Sequence, residues 1–136
     1  MVTKDMNRPR LVLADDSEVV LTGIQRLLDP DFEVVATVPD GCALLEAADS
    51  HDPDALVVDV SMPCLNGIAA TRALKERRCR GKIVILTMHR SRAMLDEALA
   101  AGAAGYVLKA DAAEHLSEAV REALAGRSYV CPSLQA

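Results

Sequence analysis

The stretch Ala55-Leu-Val-Val-Asp-Val-Ser-Met-Pro63 decides how this chain is read. Four apolar residues in a row end abruptly at a carboxylate, Asp59, and Met62-Pro63 then breaks the chain. Such a run reads as a β-strand with an acid at its end. Upstream, Arg10-Leu-Val-Leu-Ala14 is wholly apolar after its first residue, as a parallel strand buried on both faces must be. Between the two, Ser17 to Leu28 places Val20, Ile24, Leu27 and Leu28 on one helical face, and Asp29-Pro30-Asp31 stops that helix. Phe32 to Ala36 is a further strand, Asp40-Gly41 opens a helix running to about Ser50, and His51 to Asp54 is a turn.

Downstream the alternation continues. Asn66-Gly67 leads into a helix ending near Arg80, and Lys82 to Thr87 is a strand. Ser91 caps a helix through Ala101, and Gly102 and Gly105 flank a tight return into a strand over Ala104 to Leu108. Asp111-x-x-Glu114 has the form of a capping box for a last helix ending at Gly126. Five strand-helix units with short connections predict an α/β fold, a doubly wound parallel sheet with helices on both faces. Residues 1–8 read as an N-terminal tail, residues 9–126 as the folded domain, and residues 127–136 as a linker stub or C-terminal tail. Pro132 is expected to end any helix there. There is no internal repeat and no low-complexity tract.

Composition bounds the function. A chain of 136 residues suits one domain with its own core. No apolar run is long enough to span a membrane, and Met1-Val-Thr-Lys-Asp5 lacks a signal peptide's apolar segment, so the expected location is the cytoplasm. A net charge of −5 and only 2% aromatic residues argue against direct nucleic-acid binding. Cys42, Cys64, Cys79 and Cys131 are scattered without a C-x-x-C pair, as are His51, His89 and His115, so free thiols are expected rather than structural zinc. The basic run Lys75, Arg77, Arg78, Arg80 and Lys82 reads as a solvated helix end.

The polar residues at the strand ends carry the chemistry. Asp15 and Asp16 follow the first strand, Asp59 closes the third, Thr87 the fourth, and Lys109 follows the fifth. A doubly wound sheet delivers all of these to one edge, where ligands of such folds bind. Each alone has an ordinary explanation: a helix cap, a turn residue, a surface charge. Together they are three carboxylates, a hydroxyl and an ammonium. Crowded carboxylates stay ionised only beside a cation, and oxygen ligands suit Mg²⁺, which also accepts phosphate oxygens. Lys109 and Thr87 can hold phosphoryl oxygens, and a carboxylate can attack phosphorus to give an acyl phosphate.

Asp15-Asp16, Val58-Asp-Val-Ser-Met-Pro-Cys-Leu-Asn-Gly67, Thr87 and Gly105-Tyr-Val-Leu-Lys109 together resemble the receiver domain of two-component response regulators. The resemblance covers roughly residues 9 to 126. Gly126-Arg-Ser-Tyr-Val-Cys-Pro132 is similar to the end of receivers in the LuxR-type helix-turn-helix subfamily. The resemblance implies a flavodoxin-like, five-stranded sheet of order 2-1-3-4-5. It implies phosphorylation of Asp59 by a sensor histidine kinase. It also implies Mg²⁺ on Asp16, Asp59 and the Ser61 carbonyl, with Asp15 acting through a metal-bound water. Thr87 and Lys109 would hold the phosphoryl group, and Tyr106 would be the switch aromatic that turns inward as Thr87 moves. An output DNA-binding domain, absent from these residues, and a homodimer are the implied partners.

Two positions depart from the family's commonest pattern. Ala110 stands where proline often follows the lysine, at a bond the family holds cis; without proline a cis bond costs about 2.5–4 kcal/mol. Met88 stands where a small residue is common, and is expected to narrow entry to Asp59. Ser61 and His89 occupy positions that tune phosphoryl lifetime. Two other functions use similar residues. An aspartyl-phosphate hydrolase needs a general acid two residues beyond the nucleophile, where Ser61 stands, and a substrate cap. A phosphorylation-independent interaction domain would not need an intact acidic pocket. Nucleotide binding is disfavoured, because no glycine-rich loop follows the first strand.

Overall fold

A computed structural model describes residues 8–135; the expected tail over residues 1–8 lies outside the described residues apart from Arg8. Five strands and five helices alternate as β1 Arg10–Ala14, α1 Glu18–Leu28, β2 Glu33–Val38, α2 Gly41–His51, β3 Ala55–Val58, α3 Gly67–Glu76, β4 Lys82–Thr87, α4 Arg92–Ala101, β5 Gly105–Leu108 and α5 Ala112–Leu124. A two-residue strand β6, Tyr129–Val130, and a single turn α6, Pro132–Gln135, follow. The sheet order is β2-β1-β3-β4-β5-β6, and every pairing is parallel.

The unbroken apolar runs explain this arrangement. Every residue of β3 and β5, and all but the first of β1 and β4, is buried. Only strands covered on both faces bury every side chain, so these four form the centre of the sheet. β2 lies at an edge and is partly exposed. The helices begin where their caps predict. Ser17, Asp40, Asn66 and Ser91 each accept a hydrogen bond from a backbone N–H three residues on.

Strand order reverses between β1 and β3, since β2 lies outside β1 while β4 and β5 continue beyond β3. That switch point opens a crevice at the carboxyl ends of β1 and β3. The residues just past both strands are pinned there by backbone bonds. Asp59 N–H donates to the Ala14 carbonyl (3.0 Å) and Asp15 N–H to the Val38 carbonyl (3.1 Å). Gly67 closes the loop after β3. Its N–H donates to the Val60 carbonyl (2.8 Å), and a Cβ at this position would collide with the Asp59 carbonyl.

Several local expectations are corrected, and the open question of the Lys109–Ala110 bond is answered. The sheet has six strands, not five. Tyr129 N–H donates to the Ala104 carbonyl (2.9 Å) and Cys131 N–H to the Tyr106 carbonyl (3.1 Å), while Cys131 and Leu134 are buried. Two residues are too few to show a period in sequence. Pro132 starts the short turn α6 rather than ending one, a place where its missing N–H costs nothing. Helix α3 ends at Glu76, because Arg78 adopts a left-handed φ of 61° and the Cys79 N–H returns to the Leu74 carbonyl. The capping box at Asp111 does not form: a 3₁₀ turn over Lys109–Asp111 leads into α5, and the Asp111 carboxylate accepts the Ser133 hydroxyl (2.8 Å). All described peptide bonds are trans, including Lys109–Ala110. Finally, Cys42 and Cys64 are joined as a disulfide with Cα atoms 5.9 Å apart, while Cys79 and Cys131 are free. Their 22-residue separation gave no local signal; the fold brings the start of α2 against the loop after β3.

The packed C-terminal segment is open to a direct check. Leu134→Ala should lower stability by about 2 kcal/mol, the small end of the range for a buried leucine, because a terminal turn can collapse. Val19→Ala, at a residue 83% exposed, should change it by less than about 0.5 kcal/mol. Urea unfolding of the two variants against wild type measures both.

Candidate functional site

At the switch point the structure gathers the acids that the sequence placed at strand ends. Asp15, Asp16 and Asp59 each offer a carboxylate oxygen, and these atoms lie within 4.8 Å of one another. Asp15 is 1% and Asp59 4% exposed, whereas Asp16 faces solvent. The Lys109 ammonium stands 2.7 Å from Asp15 Oδ2 and 3.3 Å from Asp59 Oδ2. It arrives on the 3₁₀ turn at the end of β5.

Local bonds fix the direction of each acid. Asp15 Oδ1 accepts the Ser17 N–H (2.9 Å), and Asp59 Oδ1 accepts the Ser61 N–H (3.3 Å). Asp15 Oδ2 is buried and takes no hydrogen bond of good geometry, although the Lys109 charge is close. Burial raises the Asp59 carboxyl above its ordinary value, and the Asp15 charge raises it further; Lys109 and the Ser61 N–H oppose this without cancelling it. Burial alone would depress the Lys109 ammonium, but the two carboxylates outweigh it and hold Lys109 above its usual range. Three carboxylates against one ammonium leave two negative charges unbalanced. That excess, with an under-coordinated buried oxygen and an all-oxygen donor set, fits a small divalent cation such as Mg²⁺.

Around this centre the remaining candidates form one connected set. Thr87, fully buried, accepts the His89 N–H on its Oγ1 (3.1 Å). Tyr106 is fully buried, turned inward, and donates its O–H to the His89 carbonyl (3.1 Å). The His89 ring Nε2 and the Ser61 hydroxyl share a hydrogen bond (3.1 Å). His89 thus joins the loop after β3, the end of β4 and the middle of β5. Sequence reasoning placed it in an exposed loop; it is exposed, but two of its three bonds use backbone atoms, which side-chain identity does not reveal. Met88 is 78% exposed and points away from the packed interior. Arg90 and Arg92, not singled out from the sequence, donate to the Ser133 and Leu134 carbonyls of the C-terminal turn (3.0 Å each).

Comparison with known proteins agrees with this geometry. The response regulator receiver domain family matches residues 11–121. The transcriptional regulatory protein DegU of Brevibacillus brevis is 35% identical over 94% of this chain and 55% of its own length. The oxygen regulatory protein NreC of Staphylococcus epidermidis is 41% identical over 89% of this chain and 57% of its own. A crystal structure of a LuxR-family two-component response regulator from Aurantimonas superposes with a TM-score of 0.90 at 34% identity, covering 95% of this chain and 94% of that one. The chain belongs to the response regulator receiver domain family, and its relatives and structural neighbours include a LuxR-family response regulator. It functions as a receiver domain, a signalling module. It spans a little over half the length of the curated relatives it matches. Among the described residues, no helix is long and apolar enough to cross a membrane.

The raised Asp59 carboxyl has a testable consequence for stability. As pH rises, the unfolded chain gives up the Asp59 proton first, so stability falls between the unfolded and the higher folded value. Below the unfolded value the penalty is absent. In chelator, Asp59→Asn should therefore be more stable than wild type at neutral pH, and the difference should shrink as pH falls through the carboxylate range. Thermal unfolding across pH measures the difference.

Proposed function

We propose that Asp59 takes a phosphoryl group from a phosphohistidine on a sensor histidine kinase, and that this shifts the domain between two conformations read by an output partner. The observation that carries this reading is the buried Asp15–Lys109–Asp59 cluster completed by Asp16 at the sheet edge. Asp59 Oδ2 attacks phosphorus in line with the leaving imidazole. The P–O bond of an acyl phosphate forms as the P–N bond breaks, and its electron pair leaves on the imidazole nitrogen. Lys109 moves from the carboxylates to a phosphoryl oxygen as a fixed point charge. Thr87, whose Oγ1 already accepts one bond, keeps its own O–H to donate to another phosphoryl oxygen. Asp16, Asp59 and the Ser61 carbonyl would hold Mg²⁺ directly and Asp15 through water; when bound, Mg²⁺ neutralises charge that builds on the phosphoryl oxygens.

The hydrogen bonds around His89 support the output half of this reading. If Thr87 moves toward a phosphoryl oxygen, the His89 N–H moves with it, and the bonds to Tyr106 and Ser61 must adjust. Arg90 and Arg92 transmit that motion to the Ser133 and Leu134 carbonyls. Residues 9–126 would then be the switching unit. Residues 127–136 would lead toward a DNA-binding domain, in a cytoplasmic regulator that pairs with a second copy of itself. Ser61, Met88 and His89 would tune phosphoryl lifetime. The hydrolase alternative lacks support at Ser61, whose hydroxyl is engaged by His89 rather than being a free acid.

Phosphorylation by acetyl phosphate, followed by intact mass, tests the proposal. Wild type should gain one phosphoryl group only with Mg²⁺ present, and Asp59→Ala should gain none. Lys109→Ala should slow uptake by about 10²-fold, the effect of removing one charged donor. Undiminished uptake by Asp59→Ala would sink the assignment, and steady turnover of a phosphate ester would favour a hydrolase.

A further inference from the structure

We infer that Cys42 and Cys64 form a reversible thiol–disulfide site that controls the order of the phosphoacceptor loop. Cys42 lies in the first turn of α2, and Cys64 lies in the loop that leaves Asp59. Both are exposed, so small thiols and disulfides can reach them. A disulfide in a protein of the cytoplasm is as a rule transient and redox-sensing, not structural. The inference rests on the phosphoacceptor reading for its consequence, but not for the chemistry of the pair.

Three features tie the pair to the site. Gly41 N–H donates to the Pro63 carbonyl (3.3 Å), and a Cβ at Gly41 would collide with the Leu65 carbonyl, so backbone contact keeps the two sulfurs near each other when the bond is open. Reclosure therefore needs little rearrangement. Cys64 sits at φ 70°, a left-handed conformation that a side chain rarely adopts, in a turn closed by the Leu65 N–H to the Pro63 carbonyl (2.7 Å) and tied down by the cross-link. The same short loop carries Ser61, whose N–H orients Asp59 and whose hydroxyl bonds His89. Opening the bond frees Cys64 to leave its strained conformation and loosens Ser61 beside Asp59.

The oxidant is a low-molecular-weight disulfide. One cysteine thiolate attacks a sulfur of that disulfide, forming a mixed disulfide and expelling one small thiolate. The second cysteine thiolate then attacks the protein sulfur of the mixed disulfide and expels the other small thiolate. Two protein thiols and one small disulfide become one protein disulfide and two small thiols. Two electrons pass to the oxidant, and the two protons end on the released thiols. Excess small thiol reverses both steps.

The test equilibrates the chain across ratios of reduced to oxidised glutathione, then traps thiols by alkylation for intact mass. Wild type should pass reversibly between two added alkyl groups and none at positions 42 and 64. Amides of residues 60–62 and 64–66 should exchange with deuterium about tenfold faster in the reduced form. Mg²⁺-dependent uptake from acetyl phosphate should be several-fold slower in the reduced form at limiting Mg²⁺, and the double variant Cys42→Ser, Cys64→Ser should behave as reduced wild type at every ratio. A pair that does not cycle overturns the inference, as does a pair that cycles with the same exchange and the same uptake in both states. If neither state takes phosphate, the phosphoacceptor reading fails, and the cycling and exchange data still decide this one.

Discussion

Asp15 and Asp59 repel each other at the ends of neighbouring strands, and burial denies both of them bulk water. The sheet forces this arrangement. Hydrogen bonds from Asp59 N–H to Ala14 and from Asp15 N–H to Val38 leave neither residue free to move apart. Lys109 relieves part of the repulsion, yet Asp59 still holds its proton more tightly than a carboxyl in water. A site with that much uncompensated charge is poised to accept a cation, and the acyl phosphate proposed at Asp59 would add charge that must again be met.

Connection outward from the site runs through few bonds. His89 is bound by Thr87 at its N–H, by Tyr106 at its carbonyl and by Ser61 at its ring. Its neighbours Arg90 and Arg92 hold the C-terminal turn. These bonds give a shift of Thr87 a route to Tyr106, Ser61 and the C-terminal turn. Tyr106 already fills its inner position, with its hydroxyl raised above its ordinary value chiefly by burial. That is one of two states such a switch requires, and the balance between them is what a phosphoryl group would alter.

Much of this was legible in the residues. Unbroken apolar runs such as Leu56-Val-Val58 fixed the parallel sheet, and acids at strand ends located the crevice, because topology converts strand ends into neighbours. What could not be read depends on contacts distant in sequence or made by backbone. Tyr129-Val130 shows no period in two residues, and its pairing with Gly105 and Tyr106 exists only once β5 is in the sheet. Cys42 and Cys64 have no recognisable spacing until α2 meets the β3 loop. Asp111 and Glu114 matched a local cap pattern, but Ser133 competed for the Asp111 carboxylate. The trans bond at Lys109–Ala110 follows the intrinsic preference of a non-proline peptide over the family's habit.

The central claim is that the crowded carboxylate at position 59 becomes the acyl phosphate. Treating the phosphorylated chain with borohydride, which reduces an acyl phosphate to an alcohol and leaves phosphate esters intact, and then sequencing its peptides tests this most directly. The account predicts homoserine at position 59 and at no other aspartate. Phosphate surviving reduction on Ser61 or Thr87, or homoserine at Asp15 or Asp16, would contradict it.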